Sequence, residues 1–345
     1  MNAPTQTEQQ LHDALLTIDT HIDIPWPPGA SPFEDGPRRV DLPKMRRGGL
    51  GAGCFAAYIP QGKNDEAGFQ AAYERATAML RAIHEMGEDN GDATRLPGRI
   101  ATTVAEIETA RADGAPAVIP AVENGYALGL DLNRLDEFRA LGARYMTLTH
   151  NGHNQISDSA VPRKDLGDGP ELHGGLSDFG RTVVARMNKL GMLVDISHVA
   201  KTAMLQAIDV SQTPVIATHS SVRAICDHPR NLDDEQMDRL AESGGLMQIT
   251  LVSFFLKRGS KETEVTLSDY VDHIDYAVRH MGIAHVGIGT DFDGGGGVVG
   301  FRDASESAHL TAELIRRGYD TQAIAALWGG NFLRLLRMAE EKTTK

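Results

Sequence analysis

Short apolar runs alternate with stretches of helical periodicity along the whole chain. The runs lie at residues 17–23, 51–59, 117–122, 145–149, 192–196, 214–217, 245–251 and 285–289. Each has the length of a buried strand and stops at a polar residue, a glycine or a proline. Between them, apolar positions recur at three- and four-residue steps. In 66–86, for example, Phe69, Tyr73, Ala76, Leu80 and Ile83 share one face. Ser177 caps a helix over 178–190, and Gly191 stops it. Helices are likewise predicted over 11–16, 102–112, 132–141, 201–208, 233–242, 267–281, 304–317 and 321–339, with residues 1–10 a flexible tail. Eight strand-and-helix units in 345 residues predict one domain over 1–345, an α/β protein of the (β/α)8 TIM-barrel class. The rival open sheet lacks a G-x-G-x-x-G turn after its first strand. Two long loops interrupt the alternation, 25–37 with Trp26 and Phe33, and 151–176. Loops of that length after strands are expected to shape a pocket.

A barrel of this kind carries its chemistry where the strands end. At those positions the sequence has His21 and Asp23, then Glu123, His150, His198, His219 and Asp291. His21 and Asp23 are two residues apart, so a strand turns both to the same side. An imidazole beside a carboxylate can seat a divalent metal. Each residue alone also fits a helix cap or an ordinary turn. Seven such residues at six strand ends exceed what turns require. Three imidazoles (His21, His198, His219) and two carboxylates (Asp23, Glu123) are too many for one catalytic zinc with three protein ligands. They suit two ions sharing one carboxylate and one hydroxide. Zinc fits the imidazole-rich set, and manganese or cobalt are alternatives.

Composition narrows the picture. A hydrophobic fraction of 41% with 36 glycines is that of an ordinary globular protein. The net charge of −13 argues against nucleic-acid partners. Two distant cysteines, Cys54 and Cys226, give neither a disulfide framework nor a thiolate metal site. The first ten residues lack a hydrophobic signal core, and no apolar run has the length of a membrane span. The expectation is a cytoplasmic protein with no membrane partner.

Several motifs then fall into one pattern. They are Asp19-Thr20-His21-Ile22-Asp23, Val122-Glu123-Asn124-Gly125, Thr147-Leu148-Thr149-His150-Asn151, Gly175-Leu176-Ser177-Asp178-Phe179-Gly180, Asp195-Ile196-Ser197-His198, His219-Ser220-Ser221, Pro229-Arg230-Asn231 and Gly289-Thr290-Asp291-Phe292-Asp293-Gly294. In order and over nearly the whole chain, they resemble the membrane (renal-type) dipeptidase family, peptidase family M19, of the amidohydrolase-like barrels. The resemblance implies two Zn2+ per chain, one held by His21, Asp23 and a bridging Glu123, the other by Glu123, His198 and His219. It implies that His150 contacts the substrate and steadies its oxyanion, that Arg230 grips the terminal carboxylate, and that Asp291 is the acid/base. Spacing alone leaves Arg223 as a second candidate for the grip. The implied substrate is a dipeptide with a free C-terminal carboxylate, including C-terminal D-residues as in bacterial-type members, and the implied assembly is a homodimer.

The sequence also departs from the family. Animal members are secreted and lipid-anchored, and neither trait is expected here. They contact substrate with a tyrosine in a region where this chain has Leu251-Val252-Ser253. The competing readings are another binuclear barrel enzyme, such as an N-acyl amino acid hydrolase or a deaminase, and a non-catalytic metal-binding barrel. A carboxylate-gripping arginine is of little use to a deaminase of neutral bases. A non-catalytic barrel predicts a broken ligand set, whereas Asp291 and all five ligand types are present.

Overall fold

In the computed structural model, residues 3–89, 91 and 95–343 are described. Its strands are β1 (Ile18–Asp23), β2 (Ala52–Tyr58), β3 (Arg99–Ile100), β4 (Ala117–Glu123), β5 (Tyr145–Thr147), β6 (Leu193–Asp195), β7 (Ile216–Ser220), β8 (Leu246–Ile249) and β9 (Val286–Ile288). All ladders are parallel and follow the order β1-β2-β4-β5-β6-β7-β8-β9, with β3 a two-residue addition beside β4. Helices occupy the crossovers, as parallel strands require. The ring is drawn together between β9 and β1 by a bridge from Ile22 to Phe292. There Asp23 N–H donates to the Phe292 carbonyl at 2.9 Å, and Asp291 N–H to that of His21 at 3.0 Å. The expected TIM barrel is present.

The strand alternation divides the core in two. Ile18, Ala52, Cys54, Ala117, Ile119, Ala121, Tyr145, Leu193, Ile216 and Leu246 form one cluster with Phe332, Leu335 and Leu336 of the last helix, Asn331–Thr343. These are every-second-residue positions, small on β2 and β4, and they fill the barrel. The complementary set, including Phe55, Val118, Val122, Met146 and Val194, packs outward under the helices. Cys54 is thus a buried small hydrophobe. The inward column Ala117, Ile119, Ala121 ends at Glu123, which fixes that carboxylate on the barrel axis side.

Some expectations need correction. Residues 6–10 are not a tail, since a helix spans Gln6–Ala14. Thr5 and Glu8 form its capping box, and its His12 bonds Thr311 at 2.7 Å and the Gly48 carbonyl at 2.8 Å. That Thr-x-x-Glu signal stood in the sequence. Residues 1 and 2 of the expected tail lie outside the described residues. A short helix, Leu42–Gly48, was not anticipated. Asp41 caps it and Gly49 ends it in the left-handed region. Among the described residues, no helix is long and apolar enough to cross a membrane.

Candidate metal centre

The residues converge because the strands are irregular where it matters. The β1–β2 ladder shifts register between Asp19 and Ile22, and the β7–β8 ladder between Ala217 and Ser220. His21 and His219 sit in those shifts, which re-aim both rings into the barrel mouth. Their ring centroids lie 3.8 Å apart. Among the described residues, the non-glycine residues with positive φ are Asn124, His198, Asp291 and Asp293. All four belong to or adjoin the predicted site. Left-handed backbone costs a non-glycine residue of order 1–3 kcal/mol, and here it turns His198 and Asp291 toward the centre.

Glu123 is the hub. Its Oε2 lies 3.6 Å from Nε2 of His21, while its Oε1 lies 3.1 Å from Nε2 of His198 and 3.4 Å from that of His219. Asp23 Oδ1 is 3.6 Å from the same His21 nitrogen. His150 Nε2 is farther from Glu123, at 3.9 Å. Ligand-type atoms of His21, Asp23 and Asp291 also group within 4.8 Å of one another, as do those of Glu123, His150 and His198. All seven strand-end residues therefore come together.

Nε2 of His21, Nε2 of His219 and Oδ1 of Asp23 are buried with no hydrogen-bond partner. Stranding a buried polar atom costs about 1–3 kcal/mol. Imidazole lone pairs and carboxylate oxygens aimed at one another are what a divalent cation satisfies, so the donor set fits zinc, manganese or cobalt. The opposite ring nitrogens are held from behind. Nδ1 of His21 meets Tyr145 Oη at 2.8 Å, that of His219 meets Thr218 Oγ1 at 2.9 Å, and that of His198 meets Asn151 Oδ1 at 3.1 Å.

Electrostatics points the same way. Burial opposes charge on Glu123, but the His21 charge and bonds from His198, His21 and His219 outweigh it and hold its carboxyl well below the usual range. Burial also opposes charge on His21, yet Glu123 and Asp23 hold that imidazole well above its usual value. Burial and then Glu123 push Asp23 up to about 7. Burial drives Asp291 well above the carboxylate range and lowers His219 to about 3 and His150 to about 4. His150, His198 and His219 are thus held neutral beside the Glu123 carboxylate, with their lone pairs free to meet a cation.

Beside the cluster lies a cavity of about 190 Å³ lined by Arg230, His198, Asp291, Val252, Phe254 and Phe255, among others. Arg230 is 3% exposed, and among the described residues it has no carboxylate within ion-pair distance. One Nη donates to the His219 carbonyl at 3.1 Å, while Nε has no partner. Burial lowers its guanidinium to about 10. Arg223 instead pairs with Asp227 at 2.9 Å on the surface, so of the two arginines only Arg230 faces this cavity. The aromatic beside it is Phe255, whose ring centroid is 5.4 Å from the guanidinium carbon. It has no hydroxyl, and it lies two residues beyond the segment considered from sequence. Gly294 keeps the floor open, because a Cβ there would stand 2.2 Å from Asp291 Oδ1 and 2.7 Å from Asp23 Oδ2.

Trp26 and Phe33 line a different cavity, of about 250 Å³, with Arg38 and Met86. The end of their loop is tied to the site, since Arg39 and Val40 N–H donate to Asp293 at 2.8 and 3.1 Å. Sequence reasoning missed Tyr145, Thr218, Asn151 and Asp195. A pointer existed for Asp195, the carboxylate three residues before His198. Tyr145 gave none, because its contact crosses 124 positions.

Residues 5–345 match the family model for membrane dipeptidase, peptidase family M19. The dipeptidase aclJ of Aspergillus oryzae is 33% identical over 303 residues, covering 86% of this chain and 69% of that protein. The crystal structure of the probable dipeptidase PvdM from Pseudomonas aeruginosa superposes with a TM-score of 0.91 at 30% identity, over 98% of both chains. A metallopeptidase from Rhodobacter sphaeroides, liganded with a phosphinate mimic of L-Ala-D-Ala, gives a TM-score of 0.76 at 30% identity, over 88% of this chain and 91% of that one. The chain belongs to the membrane dipeptidase family, peptidase family M19, and is a metallo-dipeptidase.

Proposed function

We propose that the chain, acting as one hydrolase domain, is a two-zinc dipeptidase. It cleaves the amide bond of dipeptides with a free C-terminal carboxylate, including those ending in a D-residue. His21, Asp23 and Glu123 would hold one ion; Glu123, His198 and His219 would hold the other. The observation that carries this reading is the division of Glu123, with Oε2 toward His21 and Oε1 toward His198 and His219. When bound, such an ion pair polarises the scissile carbonyl and lets water ionise near neutral pH.

The chain's own residues supply the rest. Arg230, buried with an unpartnered Nε, receives the terminal carboxylate in a fork-like grip. His150, whose side chain is 20% exposed, donates to the carbonyl oxygen as it gains negative charge. Asp291, whose carboxyl the bound cations would return to its ionised form, takes the proton of the attacking water at a carboxylate oxygen and hands it to the leaving nitrogen. The C–N bond breaks, and the products are two amino acids. Acceptance of a C-terminal D-residue draws support from the Rhodobacter sphaeroides neighbour, whose ligand mimics L-Ala-D-Ala.

The test is a hydrolysis panel of L,L- and L,D-dipeptides, N-acyl amino acids and C-terminally amidated dipeptides, run with zinc-loaded protein and its Asp291→Asn variant. Free dipeptides should be cleaved in preference to the other classes, and the variant should lose roughly 10²–10⁴-fold in kcat. Cleavage of N-acyl amino acids but not dipeptides would replace this reading with an acylase.

A further inference from the structure

Behind the ligand atoms, the histidine Nδ1 atoms meet oxygens whose own hydrogens are committed elsewhere. Tyr145 donates its hydroxyl hydrogen to the Thr20 carbonyl at 3.0 Å, so its oxygen accepts from Nδ1 of His21. Thr218 donates to Asp195 Oδ2 at 2.7 Å. Asp195 is an acceptor on every side: it also takes Thr147 Oγ1 and the backbone N–H groups of Ser197 and Thr218, each of the latter two at 3.0 Å. The Thr218 oxygen is left to accept. It lies 2.9 Å from Nδ1 of His219 and 3.3 Å from Nδ1 of His21. An imidazole whose proton is fixed at Nδ1 presents its lone pair at Nε2, and both Nε2 atoms face Glu123.

These two histidines face different oxygens of Glu123 and so belong to different ions in the two-zinc reading, on which this inference rests. We infer that Thr218 is a positioning residue whose single hydroxyl, anchored by Asp195, sets His21 and His219 together in the metal-binding tautomer and thereby couples the loading of the two ions. Tyr145 serves His21 alone. Outer partners of metal-ligating histidines typically matter about 10–100-fold in affinity.

The experiment titrates metal-free wild type, Thr218→Val, Thr218→Ser and Tyr145→Phe with Zn2+ against a chromophoric chelator and reads both stepwise dissociation constants. Thr218→Val should raise both constants by roughly 10–100-fold. Thr218→Ser, which keeps the hydroxyl, should restore them, and Tyr145→Phe should raise one. Both constants unchanged in Thr218→Val, or only one moved, overturns the coupling. A wild type that binds a single ion sinks the two-zinc reading, and the coupling with it. A measurement without variants guards against misfolding. In zinc-loaded wild type, ring nitrogen NMR should show Nδ1–H on both His21 and His219, and Nε2–H on either overturns the inference.

Discussion

Four of the five ligands stand on strands, with His198 on the turn after β6, whereas the substrate side hangs on loops. His21, Glu123 and His219 are strand residues, almost wholly buried, and each of the two imidazoles is held at its far nitrogen. Arg230, Phe254 and Phe255 sit on a turn and on the one-turn helix Ser253–Leu256. That wall is fastened by a few bonds. Asn231 donates to the Phe255 carbonyl at 2.7 Å, and His273 joins Val222 N–H at 3.0 Å to the Leu256 carbonyl at 3.1 Å. The difference separates two demands. Ligand atoms need tenths of an ångström, which closed ladders and buried partners supply. A wall that admits and releases substrate is served by segments with less fixed backbone.

The sharpest way to break this comparison is to press one carbon from the loop after β9 against Asp23, at the end of β1. Gly294→Ala drives a methyl into Asp291 and Asp23, and a misplacement near 1 Å costs on the order of 10²-fold. With two carboxylates displaced, kcat should fall by at least that much and zinc affinity with it. Wild-type kinetics would show that these carboxylates give way freely, contrary to a rigid floor.

A smaller effect addresses the fastening of the wall. Burial lowers the His273 imidazole to about 4, against about 6.5 in an unfolded chain. The folded state therefore keeps it neutral, and the unfolded state binds more protons between those values. Its contribution is fully present above pH 6.5 and is lost as pH falls toward 4, on the order of 3 kcal/mol in all. Urea unfolding at several pH values checks this against His273→Gln. The stability gap between the two proteins should shrink as pH falls through that window. A constant gap would show that His273 is not held neutral by the fold.

The smallest effect concerns substrate alone. A hydrogen bond to a charged group contributes about 1.5–3 kcal/mol. Arg230→Met should therefore lower kcat/KM for free dipeptides roughly 10–100-fold, with amidated dipeptides unaffected. Equal losses on both would move Arg230 from the wall to the structural frame.

The same division explains what the sequence made legible. Barrel strands end where the active face begins, so a histidine or acid at a run's end carries its position with it, as His21, Glu123 and His219 do. The partners that hold them do not. Thr218 neighbours His219 in sequence and by strict alternation would point to the opposite face. Only the register shift between Ala217 and Ser220 brings its oxygen to that ring. Phe255 reaches Arg230 through the fold of the loops, across 25 positions of sequence. Trp26 and Phe33, aromatic residues of a long loop, line a different cavity, and residues 39 and 40 just beyond that loop are bonded to Asp293.

The central claim is that Glu123 serves two ions at once, and metal stoichiometry tests it most directly. Wild type and Glu123→Gln would be saturated with zinc, stripped of loosely held ions and analysed by atomic emission. The account predicts two zinc ions per wild-type chain and at most one in the variant. One ion in the saturated wild type, or two retained by Glu123→Gln, would contradict it.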